Sequence, residues 1–161
     1  MNIFVLDTTP KEAAKAHCDK HVVKMILESA QMLCTVAHTL NVEGVPYKST
    51  HLNHPCTVWA RKSKQNYLWL VELFNELHNE WQYRYNHSHN HKSVDKLQCL
   101  DMYSIANSLP DIGLTPFAQA MPDTYRNDDA IIAYRNYYLG DKAELLQYTK
   151  RNKPNWITHE N

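Results

Sequence analysis

From Thr9 to about His38 the chain carries a continuous helical pattern that constrains everything around it. Residues three and four apart share a helix face, and that spacing aligns His17, Lys20, His21, Lys24, Glu28, Gln31 and Thr35 in one polar stripe. Val22, Val23, Met25, Ile26, Leu27, Ala30, Leu33, Cys34 and Ala37 fill the rest of the circumference, a wider apolar arc than a surface helix needs. The pattern predicts a mostly buried helix whose stripe faces a cleft, a ligand or another element, because unpaired buried charge is costly. Thr9-Pro10-Lys11-Glu12 marks its start, with a capping threonine, proline at the first helical position and glutamate at the third. Asp19 falls on the apolar side and is expected to accept hydrogen bonds from another segment.

Three glycines in 161 residues, with long periodic segments, predict an all-α fold in a single domain, 1–161. The expectation is four to five helices, two long antiparallel ones forming the core. The second long helix is read from Pro55 to about Tyr85, opened by Asn53 or His54 as cap, with Trp59, Ser63, Asn66, Leu70, Leu73, Phe74, Leu77 and Trp81 on its buried face. A third is read at about Ser93 to Ser108, a fourth from about Asp128 to Leu139, and a further helical piece from Ala143 to Lys150. Between them, the histidine-rich run 86–91 reads as a solvated loop. Cys18, Cys34, Cys56 and Cys99 are far apart and predict buried reduced thiols in a cytoplasmic protein. No stretch is long and apolar enough to span a membrane.

Seventeen basic and seventeen acidic side chains balance, so no overall field draws the chain to nucleic acid or membrane. The distribution is uneven. His51, Asn53 and His54 sit at a helix N-terminus suited to phosphate or to plain capping, Arg61 and Lys64 follow on its outward face, and Lys150, Arg151 and Lys153 form a second basic cluster. On the stripe, a lysine near other cations can act as a nucleophile, and a carboxylate beside it can shuttle protons. Lys24 and Glu28 equally suit an intrahelical ion pair. The apolar run Asn2–Asp7, pinned through Phe4 and Leu6, is placed to bring the chain's own amine to the same helix. Tyr134, Tyr137, Tyr138, Tyr148 and Trp156 read first as core and second as a platform for unpaired bases. Two other readings compete: a metal-dependent phosphohydrolase or nuclease using His17, Asp19, His21, His51 and His54, and a partner-binding protein with the stripe as its interface.

In layout the chain resembles the pyrimidine dimer DNA glycosylase family, the phage endonuclease V type and its bacterial relatives. The parts that match are the short run Asn2–Leu6, the segment from Asp19-Lys20-His21 to Glu28-Ser29-Ala30-Gln31, Asn53-His54-Pro55 with Trp59, and the aromatic, basic stretch Lys150–Trp156. The resemblance implies a helical glycosylase and lyase that flips a nucleotide out of duplex DNA and attacks the sugar C1′ through an amine. Carried over by position, Glu28 is the assisting glutamate, His17 and His21 neighbouring site residues, and Lys20 or Lys24 a basic group in the pocket. The phage enzymes use the amine exposed when the initiator methionine is removed, whereas Asn2 is a residue after which methionine stays. Three alternatives follow: the Met1 amine serves, a helix lysine replaces it, or the chemistry differs. Neither metal nor cofactor is expected for amine chemistry of this kind.

Overall fold

The computed structural model describes residues 1–157. Among them are seven α-helices and no strand: α1 (Pro10–Ala16), α2 (Asp19–Thr39), α3 (Pro55–Lys62), α4 (Lys64–Tyr85), α5 (Lys92–Leu97), α6 (Met102–Asn107) and α7 (Ala130–Leu139), with single 3₁₀ turns at Asp123–Tyr125 and Ala143–Leu145. The long helices α2 and α4 pack antiparallel: Tyr67, early in α4, donates to the carbonyl of Leu33, late in α2, while Tyr85, at the end of α4, reaches the carbonyl of Asp19, the first residue of α2. One hydrophobic core runs between them from Ile3 to Ile157.

Each long helix expected from the periodicity is divided. The first breaks at His17 and Cys18, both extended, so that α1 turns away to bury Ala13, Ala14 and Ala16 beside α4. Thr9 caps α1 as expected, accepting from the Glu12 amide at 3.2 Å. The break is chemically satisfied. The Arg84 guanidinium donates to the carbonyls of Lys15 (3.0 Å) and His17 (2.8 Å), and the Tyr148 hydroxyl donates to that of Ala16 (2.6 Å). These are carbonyls that a helix end leaves without an internal partner. Arg84 also bonds Glu80 and Asp19, at 3.1 Å each, and is only 1% exposed. Asp19, on the apolar side of the wheel, completes the junction by accepting from the Thr149 amide (2.8 Å) and hydroxyl (2.6 Å).

The second expected helix breaks at Ser63, whose backbone is extended and whose hydroxyl caps α4 by accepting from Asn66. Segment 110–115 fills the gap: the Lys64 amide donates to the Pro110 carbonyl, and the Asn66 side chain exchanges hydrogen bonds with Thr115. The third expected helix is likewise two short ones, because Asp101 caps a new start at Met102, its carboxylate accepting from the Ser104 amide. The piece expected over 143–150 is a single 3₁₀ turn, its chain drawn out to bond Asp19. Val23 and Leu27, read as part of the buried arc, are exposed, since no element among the described residues covers that side of α2, and Cys99 is exposed as well. The run 86–91 is the expected solvated loop between α4 and α5, with His87, His89 and His91 packed around Trp81.

Removing the Arg84 side chain would leave the Lys15 and His17 carbonyls without their donor, and Glu80 and Asp19 with Arg151 and Thr149 alone. Arg84→Ala is expected to cost about 3–5 kcal/mol of unfolding free energy in urea denaturation. A loss below about 1 kcal/mol would mean that water can take its place.

Candidate functional site

The first six residues run extended over the helices and deliver the chain's amine to α2. Asn2 fixes them: its Oδ1 accepts from the Ile3 amide (2.8 Å), the Tyr134 hydroxyl (2.9 Å) and the Cys56 thiol (3.5 Å), while its Nδ2 donates to the Ala120 carbonyl (2.8 Å). The Met1 side chain lies inward, only 2% exposed, with its sulfur accepting from Thr57. Because Met1 as a residue is half-buried, its accessible surface lies on the main chain. The amine stands 3.1 Å from Glu28 Oε1.

Glu28 is buried, and its second oxygen, Oε2, has no hydrogen-bond partner among the described residues; Lys24 Nζ is nearest in charge at 3.7 Å. A carboxylate oxygen left unmatched is costly, and such groups persist chiefly where chemistry needs them. Met1, Asn2, Phe4, His21, Lys24, Met25, Glu28, Tyr137 and Lys142 line a cleft of about 90 Å³. At about 30 Å³ per water that is room for a few waters or the edge of a sugar, and far less than a whole ligand pocket.

The stripe read from the sequence is thus divided by depth. Its middle, His21, Lys24 and Glu28, faces the cleft. Lys24 leans over the mouth with its side chain 64% exposed, and Lys20 is exposed one turn earlier. His17 is sealed in the core, where its ring contacts the Ala13 carbonyl at 2.6 Å through Nδ1 and leaves Nε2 unpartnered. Thr35, at the far end, accepts from the Thr50 amide and so holds the loop that leads to α3. Phe4 stacks on His21 at 4.3 Å, and Tyr138 bonds His21 Nδ1 at 2.7 Å. Burial holds both histidines neutral, lowering His17 to about 4 and His21 to about 3, the latter helped by the charges of Lys142, Lys24 and Lys20.

His54 caps α3, accepting from the Cys56 amide at 3.1 Å, so capping is its realised role. Burial and then the neighbouring Met1 amine lower its pKa, and Thr57 in the first turn of α3 donates to the Met1 sulfur. His51 and Asn53 are exposed on the same loop, and Arg61 braces it by donating to the Leu52 carbonyl at 2.6 Å; Lys64 is half-buried at the start of α4. The C-terminal basic cluster is elsewhere. Arg151 binds Glu80 through two hydrogen bonds, Lys150 donates to the Tyr83 carbonyl and to Asn86, and Lys153 is exposed. Arg151 lines a larger cleft of about 700 Å³ with Asp7, Arg135 and Trp156, but its charges pair internally, Arg135 with Asp7 and Arg151 with Glu80. The five residues of the metal reading are not gathered: His17 is sealed and Asp19 is bound to Arg84 and Thr149. Among the described residues no group of three or more histidine, cysteine or carboxylate side chains is placed to hold a metal ion. Of the aromatic residues of α7, Tyr134 and Tyr138 are core and fully buried, while Tyr137 is half-buried at the cleft.

The sequence profile described as pyrimidine dimer DNA glycosylase matches residues 1–93, more than half of the chain. The chain belongs to the pyrimidine dimer DNA glycosylase family. No curated protein and no solved structure matches it. Family membership implies DNA as the substrate and cleavage of a glycosidic bond as the class of reaction. The matched stretch contains Met1, His21, Lys24, Glu28 and the His54 loop, whereas Tyr137 and Lys142 come from beyond it. Those two were missed by sequence reasoning as cleft residues, since nothing in their local spacing relates α7 and the turn after it to α2.

Histidines kept neutral in the fold accept protons once the chain unfolds, at an ordinary value of about 6.5. The unfolded state therefore gains protons first, and stability should fall as pH drops from about 6.5 toward about 4, by at most about 1.4 kcal/mol per pH unit for each such histidine. His54, His78 and His91, also lowered by burial, act with the same sign. Urea denaturation at about pH 7 and about pH 5 checks this, and His21→Gln should flatten the slope.

Proposed function

We propose that the protein is a DNA glycosylase with abasic-site lyase activity whose nucleophile is the amine of a retained Met1, assisted by Glu28. One observation carries the reading: the amine stands 3.1 Å from Glu28 Oε1 at the edge of an accessible cleft, with the methionine side chain built into the core behind it. Retention of Met1 agrees with Asn2 at the second position and with the hydrogen bonds that fasten Asn2. Lysines are the weaker choice. Lys20 and Lys24 are solvated, and Lys24 Nζ stands 3.7 Å from Glu28 Oε2 where the α-amine stands 3.1 Å from Oε1.

In this mechanism the uncharged amine attacks the deoxyribose C1′ as the bond from C1′ to the base nitrogen breaks, and the base leaves with a proton. Glu28 accepts the proton lost by the amine and returns one to the sugar oxygen as the ring opens to an iminium. Loss of a C2′ proton then expels the 3′ phosphate, and water releases the enzyme from the sugar. Lys24 and Lys142 at the mouth suit the phosphates on either side, and His51, Asn53 and Arg61 extend that surface along α3. With room for only the edge of a sugar, the cleft meets C1′ of a nucleotide already turned out of the stack.

Borohydride should trap a covalent adduct with duplex DNA carrying an abasic site, and peptide mapping should place it on the N-terminal methionine. Extending the N-terminus by a few residues should abolish it, and Glu28→Gln should slow it by about 10²–10⁴-fold. Lys20→Ala and Lys24→Ala should still trap, if more slowly. An adduct on a lysine would displace Met1 as nucleophile, and no adduct from the unaltered protein would remove the lyase reading.

A further inference from the structure

His21 is a titratable cleft residue whose role the amine and glutamate leave undefined, and three contacts determine the state of its ring. The Tyr138 oxygen receives the Cys18 amide at 3.3 Å and lies 2.7 Å from His21 Nδ1 and 3.7 Å from the Cys18 sulfur. Tyr138 is fully buried, and burial raises its pKa well above the ordinary value, so its hydroxyl proton stays and must be given to an acceptor. Sulfur is a weak acceptor, whereas 2.7 Å to a ring nitrogen is a strong hydrogen bond. Tyr138 therefore donates to Nδ1, and the single imidazole proton sits on Nε2. Among the described residues Nε2 has no partner, and the ring lines the cleft with its plane fixed by Phe4, 17° from parallel.

We propose that His21 is a fixed, uncharged N–H donor that hydrogen-bonds a deoxyribose oxygen of the nucleotide seated against Met1 and Glu28. This rests on the glycosylase reading and adds to it a contact that holds the sugar. The cleft already carries the Met1 amine, Lys24 and Lys142, so charge for phosphate is supplied. An imidazolium would add a fourth cation beside an amine that must be uncharged to attack. A neutral donor avoids that repulsion, and a hydrogen bond to a sugar oxygen stabilises the charge that gathers on that oxygen as the ring opens. The groups facing His21 act together to keep it neutral: His17, Lys20 and Lys24 from its own side, Lys142 and the Tyr138 hydroxyl from the other.

Nitrogen NMR of the full chain reads the tautomer directly. The Nε2–H form of His21 is expected, unchanged between about pH 8 and about pH 5; an Nδ1–H form, or titration in that range, overturns the proposal. Single-turnover borohydride trapping at saturating enzyme, on duplex DNA with an abasic site, then reads attack rather than binding. His21→Phe, which keeps the stack on Phe4 but removes the donor, should slow trapping about tenfold, the worth of one hydrogen bond. His21→Gln, which restores an N–H, should recover most of the rate. Equal loss in both variants, or no loss in either, overturns the role of donor. Absence of an adduct from the unaltered protein would instead defeat the glycosylase reading, a different result from an adduct that forms regardless of His21.

Discussion

The buried guanidinium of Arg84 is the interaction on which the arrangement depends. Its donors serve two carbonyls at the end of α1, the carboxylate of Asp19 at the start of α2, and Glu80 one turn earlier on α4. The short α1 and the long α2 can meet at a break in the core because those groups are satisfied, which would otherwise cost several kcal/mol. Glu80 and Asp19 also hold Arg151 and Thr149, so the same cluster fastens the chain's last described segment across the helical pair.

That junction sets the direction of α2 and so decides which part of its polar stripe meets the cleft. With α2 starting at Asp19, Glu28 falls opposite the amine, His21 falls under Phe4, and Lys24 projects between them toward solvent. The N-terminal run is held independently, by Asn2 against α3, α7 and the segment at Ala120. The first residue of a chain ordinarily frays. Here a buried thioether and a saturated asparagine remove that freedom, so folding itself holds the amine beside Glu28.

Electrostatics divide the surface in the same way. The C-terminal basic residues, which on composition look as suited to phosphate as any, are largely consumed in structure: Arg151 by Glu80, Lys150 by the end of α4. The cations that remain close to the amine are Lys24 and Lys142, one from each side of the cleft. A larger hollow beside Trp156 is lined by charges that neutralise one another, and its size alone gives it no chemistry.

By itself the sequence determined the helical class, the two long apolar faces, the caps at Thr9 and His54, and the register of Lys24 and Glu28, because all of these follow from contacts within four residues along the chain. It also singled out Asp19 as a misfit that needed a distant partner. Only the tertiary structure decided where the periodic segments break. The groups that make the breaks at His17 and Ser63 tolerable, Arg84, Tyr148 and the 110–115 segment, are remote in sequence and leave no periodic trace. The same limit separates His17 from His21. Both lie on the stripe, yet one is sealed in the core and the other lines the cleft, since depth depends on Phe4, Tyr138 and Lys142, which local spacing cannot relate to α2.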